Sequence, residues 1–511
     1  MPSRRPPRRA PRATFAMLGL LLLAATDVRA DVATRTEHDL LGDKQVPADA
    51  YYGVQTARAL ENFRISGVGI DRYPEFVEAL ALVKIAAARA NAEAGALAAD
   101  KRDAIEKAAR TLVEGQHHDQ FKVDWFQGGA GTSSNMNVNE VIANIALEQM
   151  GRPRGDYKTI DPHDHVNLSQ STNDSYPTAL KVAFVLRNAA VVQETQALAD
   201  AFRRKGNQYL EVLKMGRTEM QDAVPMTVGQ ELHGLAAALE TQVALLRQSE
   251  RALYTVNMGG TAIGTGLNAA PGFPALAAAQ LAQLTGKPFV AAKDLIAATW
   301  DLQSFLEYSS ALRSLAVTLS KIASDLILLS SGPRAGLGDL SLPPMQPGSS
   351  IMPGKVNPVM PEVTNVVAFR VIGNDTSVML AAKSGQLQLN AYEPLAGLAI
   401  MESQELLGNV MKTLRTRCVD GITANEANLA RHIDQTVGIV TALNPLIGYD
   451  RASELAREAY ASGKGIVELV REKKILTDQQ LEDVLDPKKL TGLDPATYPK
   501  PGAAAPAEKM S

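Results

Sequence analysis

Residues 301–329 constrain the fold of this chain more than any other segment. Phe305, Leu312, Leu319 and Leu326 recur every seventh residue, with Leu315, Ile322 and Leu329 interleaved. That spacing draws one apolar stripe along a long helix. Ser331-Gly332-Pro333 then ends it, because glycine and proline cannot continue the pattern. A stripe held over so many turns suits a coiled-coil-like bundle. A buried core helix in a monomer satisfies the same pattern.

Helical spacing extends through most of the chain. Helices are expected over residues 76–94, 138–150, 177–206, 229–256, 359–382 and 395–414, with strands confined to short pieces before residue 70. Aromatic residues are only 5%, so packing must rest on Ala, Leu, Val, Ile and Met. Such residues lose little side-chain entropy in closely packed helices. The fold class is therefore mainly α. Beyond Thr423 the helices shorten and become more charged. With 511 residues available, the chain divides into a signal segment (1–30), an N-terminal domain (31–172), a central helical-bundle domain (173–427) and a small helical C-terminal domain (428–511) with a disordered tail.

The N-terminus points to export. Residues 1–14 are basic and Pro-rich, and residues 15–25 form an apolar run too short to span a bilayer. Val28-Arg29-Ala30 follows, so cleavage after Ala30 and a periplasmic location are expected, with no membrane contact afterwards. Removing the six Arg and one Asp of this segment leaves 46 basic against 54 acidic residues, a net charge of −8. An acidic body offers no footprint for nucleic acid. Cys418 is the single cysteine, which excludes an internal disulfide and any cysteine-based metal site.

Four segments differ from the helices around them. Residues 127–139 read QGGAGTSSNMNVN, a Gly-rich lead into a helix bearing Thr132 and several other hydroxyl and amide groups. Such a helix start favours an anion. Residues 163–174 read HDHVNLSQSTND, with Ser171, Thr172 and Asn173 again before a helix. His163 and His165 lack further ligands at a familiar spacing, so no metal is expected. Residues 216–225 read GRTEMQDAVP, with Thr218 and Glu219 in a polar run that alone reads as a surface loop. Residues 348–358 read GSSIMPGKVNP, a glycine- and proline-rich loop offering Ser349, Ser350, Lys355 and Asn357. Taken singly, each of the first three suits a capped helix or a turn.

GSSIMPGKVNP resembles the signature of the aspartase/fumarase superfamily, and the other three segments resemble its remaining characteristic regions, in order. The likeness covers residues 35–490. Residues 37–67 and GQLQLNAYEP (385–394) resemble the aspartate ammonia-lyase branch, and Glu219 stands where fumarases place a histidine. The resemblance implies a three-domain lyase fold whose central bundle forms the core of a homotetramer with shared active sites. If so, the stripe of residues 305–329 would be an interface core.

It further implies reversible elimination of ammonium from L-aspartate to give fumarate, without a cofactor. Ser349 would be the base, assisted by nearby backbone N–H groups and Lys355. Thr132, Ser171, Thr172 and Ser350 would hold the side-chain carboxylate of the aci-carboxylate intermediate. Lys355 and Asn357 would bind the α-carboxylate, and Asn173, Thr218 and Glu219 the amino group. A class II fumarate hydratase, or a non-catalytic exported protein on a lyase fold, are the competing readings.

Overall fold

The structure is a computed structural model that describes residues 33–493. The expected signal segment and C-terminal tail lie outside the described residues. A hairpin of β1 (Thr34–Asp39) and β2 (Gly42–Pro47) leads into α1 (Val54–Asn62). Then come α2 (Pro74–Glu93), α3 (Ala99–Val113) and α4 (Thr132–Gln149). The middle of the chain holds α5 (Thr172–Gln208), α6 (Val228–Glu250), α7 (Phe273–Thr285), α8 (Leu295–Trp300), α9 (Gln303–Leu329), α10 (Val359–Lys383) and α11 (Glu393–Arg417). The long helices pack lengthwise, α5 against α6, α11 and α2, and α9 against α10 and α6. The remaining helices are short: α12 (Glu426–Gln435), α13 (Val440–Ile447), α14 (Tyr449–Ser462), α15 (Ile466–Glu472), α16 (Asp478–Val484) and α17 (Pro487–Thr491).

One apolar core runs continuously from Ile70 to Leu429, and a second, smaller one gathers residues 433–481 around Met215. The mainly helical fold expected from the sequence is the fold observed.

Four expectations need correction. The helix expected from Pro177 begins five residues earlier, at Thr172. Ser171 caps it through a capping box with Asp174. Pro177 lacks the N–H that would bond the carbonyl of Asn173. Asn257 Nδ2 donates to that carbonyl instead, at 3.0 Å, so the helix tolerates the proline.

Residues 216–225 are not a surface loop, and strands are not confined to the chain before residue 70. They lie within an antiparallel hairpin of β3 (Leu213–Thr218) and β4 (Gln221–Thr227). A bulge between Met215 and Arg217 breaks the alternation that would have marked a strand.

The stripe of residues 305–329 is not an interface core. Phe305, Leu312, Leu319 and Leu326 are at most 1% exposed within the single chain, because α10 and α6 already cover that face. Apolar surface is left open on α10, where Val366 and Phe369 are 64% and 63% exposed, with Val363, Met379 and Leu380 on the same helix, and off the stripe on α9 at Val317 and Leu328.

Candidate active site

The N-termini of α4 and α5 are built side by side. Gly131, just before α4, has φ +88°, and a Cβ there would fall 2.5 Å from the ring of Tyr176 in α5. Only glycine permits that approach. Thr132 opens α4 in an exposed position, its hydroxyl donating to the carbonyl of Gly129 at 2.7 Å. At the head of α5, the Ser171 hydroxyl accepts from the N–H of Asn173 at 3.3 Å. Thr172 is buried and its Oγ1 accepts from Asn135 Nδ2 at 3.2 Å. Asn173 donates to the carbonyl of Ala262 at 2.7 Å. Two long helices thus present N-termini and hydroxyls to one region, a setting that favours a carboxylate.

Behind this surface lies a buried polar layer that sequence reasoning missed. Lys84 of α2 is fully buried and donates to Asn135 Oδ1 at 2.7 Å, Gln170 Oε1 at 2.9 Å and Asn167 Oδ1 at 3.1 Å. Burial pulls Lys84 down to about 7, while Asp174 nearby favours its ammonium form. The three carbonyl acceptors favour the same form. Asp174 is equally buried, which pushes its carboxyl up to about 7. Its oxygens accept the N–H groups of Ser171, Gly259 and Thr261 at 2.9–3.0 Å. The one available signal for Lys84 was a lone cation inside the apolar run of residues 79–88.

The loop between α9 and α10 holds the second group. Gly348 donates to the carbonyl of Lys355 at 2.7 Å, and Asn357 Nδ2 donates to the carbonyl of Gly348 at 2.9 Å. These bonds close residues 348–357 into a ring. A Cβ on Gly348 would come within 2.8 Å of both the Lys355 carbonyl and the Asn357 nitrogen, so glycine is needed for closure. Inside the ring, Ser349 Oγ accepts from the N–H groups of Met352 at 3.0 Å and Ile351 at 3.2 Å. Two donors on one hydroxyl oxygen favour its anionic form. Ser350 and Lys355 are exposed beside it.

The third group is the tip of the β3–β4 hairpin. Thr218 and Glu219 are exposed there, and Glu219 and Met220 have φ +51° and +64°. Positive φ at both central residues is the geometry of a tight two-residue hairpin turn. Arg217 bonds Asp339 at 2.7 Å, so it is not held by Glu219. Among the described residues no hydrogen bond joins the three groups within one chain. His163 instead meets Gln55 at 2.9 Å, and His165 lies against Lys101. No group of three or more His, Cys, Asp or Glu side chains is placed to hold a metal among the described residues.

Solved structures share this architecture. The crystal structure named fumarate lyase:delta crystallin from Brucella melitensis, bound to cobalt, superposes with a TM-score of 0.86 at 51% identity, covering 89% of this chain and 99% of that one. A class II fumarase from Schistosoma mansoni superposes with a TM-score of 0.83 at 35% identity, covering 90% of this chain and 99% of that one. A family described as "Lyase" matches residues 42–373, and one described as "Fumarase C C-terminus" matches residues 439–492. The fold is that of a helical lyase.

The curated relatives narrow the class. Aspartate ammonia-lyase of Pseudomonas canavaninivorans is 53% identical over 457 residues, 89% of this chain and 96% of that protein. The Escherichia coli K12 protein of the same name is 48% identical, with the same coverage of each chain. The chain belongs to the aspartate ammonia-lyase family, the branch that residues 37–67, residues 385–394 and Glu219 favoured.

Proposed function

We propose that this protein eliminates ammonium from L-aspartate to form fumarate, reversibly, through an aci-carboxylate dianion. The observation that carries the reading is Ser349 Oγ accepting two backbone N–H groups inside a closed loop. Those donors, with the Lys355 charge, would stabilise the serine oxyanion as base. It takes the proton from the carbon next to the side-chain carboxylate. The negative charge that builds on that carboxylate meets Thr132, Ser171, Thr172 and Ser350, and preorganised donors of this kind supply much of such catalysis. Lys355 and Asn357 hold the α-carboxylate. Asn173, Thr218 and Glu219 receive the amino group, which then leaves. An ionised Glu219 can pair with an ammonium but cannot protonate a departing hydroxyl, which disfavours malate.

The protein acts as a homotetramer with shared sites. Two observations support this: the three groups make no mutual hydrogen bonds within one chain, and α10 carries an uncovered apolar face. Contiguous exposed apolar surface of this kind marks association. Export to the periplasm, with cleavage after Ala30, rests on the basic and apolar composition of residues 1–30.

Ser349→Ala tests the reading. Turnover should fall below detection with helical content and assembly unchanged; retained turnover removes Ser349 as the base.

A further inference from the structure

We infer that Asp339 is a positioning residue for this reaction, tying the hairpin that carries Thr218 and Glu219 to the root of the Ser349 loop. The inference rests on the roles proposed above for those residues.

Asp339 is 0% exposed and stands where three parts of the chain meet. From β3, Arg217 approaches its carboxylate at 2.7 Å and 3.4 Å through the two ends of the guanidinium, and Lys214 at 3.3 Å. From α12, His432 Nδ1 lies 3.3 Å away. Lys214 is also held by Glu231 of α6 at 2.7 Å. The forked contact of Arg217 fixes orientation as well as distance.

The backbone around Asp339 is strapped down as firmly. Its carbonyl accepts the N–H of Asn425 at 3.0 Å, and the carbonyl of Gly338 accepts Asn425 Nδ2 at 2.7 Å. Asn428 Nδ2 reaches the carbonyls of Leu337 and Gly338 at 2.8 Å and 3.0 Å. Leu340 and Ser341 pair with Ala424 and Thr423. Residues 342–347 then lead to the ring of residues 348–357, so these straps anchor the segment that feeds it.

The bulge in β3 links this anchor to the hairpin tip. It interrupts the register between Met215 and Arg217, and bulges re-aim side chains. A Cβ on Gly216 would fall 2.8 Å from the carbonyl of Val224, so glycine lets the two strands approach there. Arg217 faces the buried carboxylate, while Thr218, the next residue, is exposed at the tip. Movement of the hairpin and movement of the serine-loop root therefore strain the same charged contact.

Hydrogen exchange on the full assembled chain tests the tie directly. Arg217→Met is the informative variant, because Asp339 keeps Lys214 and His432 and the chain can still fold. Exchange across residues 343–358 should quicken by about tenfold, with α5 and α6 unchanged. The turnover number should fall by about tenfold to a hundredfold, as misplacement of a catalytic group does. Arg217→Lys, which keeps the charge but loses the fork, should recover part of both losses. Unchanged exchange across residues 343–358 in Arg217→Met overturns the tie, whatever happens to activity. Full activity of Ser349→Ala would remove the base assignment separately, and the exchange result would still decide the tie.

Discussion

Asn135 donates from Nδ2 to the hydroxyl oxygen of Thr172, and Lys84 decides that it must. An ammonium only donates, so the Asn135 atom 2.7 Å from Lys84 Nζ is the carbonyl oxygen. The amide nitrogen is then left facing Thr172 Oγ1 at 3.2 Å. With that oxygen accepting from behind, the Thr172 hydrogen is free to point at a carboxylate. A buried cation thereby sets the direction of the Thr172 donor.

Thr172→Val should lower turnover by about 10²–10³, the usual cost of losing one such donor. Asn135→Ala should act through the same hydroxyl and cost less. The double variant should then be no worse than Thr172→Val alone, since contacting groups are not additive. Steady-state kinetics on the three variants check this; strictly additive losses would show that Asn135 acts elsewhere.

Glu106 gives a pH signature. Hydrogen bonds from Arg89 at 2.6 Å and 2.8 Å, and from Arg110, hold its carboxyl down at about 2 against burial, from an ordinary value of 4.5. Its folded value lies below its unfolded one, so the stabilisation is complete above pH 4.5 and is lost as pH falls through about 2. Discounted for partial solvent screening, the contribution is about 1–2 kcal/mol. Glu106→Gln should therefore melt lower than the parent at pH 7, and the gap should narrow steadily below pH 4.5. A gap that stays constant into acid would rule out the ion pairs as its source.

The open face of α10 should be an interface. Phe369→Glu places a charge where an apolar side chain is 63% exposed in the single chain. Light scattering after gel filtration should show loss of the tetramer, and turnover should fall with it. A tetramer of parental activity would mean that another surface carries the assembly.

Much of the helical architecture was legible because apolar residues recur at the helical period whatever lies beyond the chain. The same period could not say whose atoms cover the stripe of α9, and those of α10 and α6 do. The start of α5 was hidden because Pro177 reads as a boundary, and its compensating donor, Asn257, lies far along the sequence. The four polar segments stood out by composition. Lys84 and Asp339 did not, because their partners lie 51–86 and 93–125 positions away, and such residues gain meaning only when the chain is folded.

The most direct measurement is fumarate formation, followed by ultraviolet absorbance, by purified protein of residues 31–511 given L-aspartate or L-malate separately. Fumarate from aspartate, with ammonium released in equal amount and none formed from malate, is the expected result. Fumarate from malate alone would contradict the proposed reaction and the assignment of Thr218 and Glu219 to an amino group.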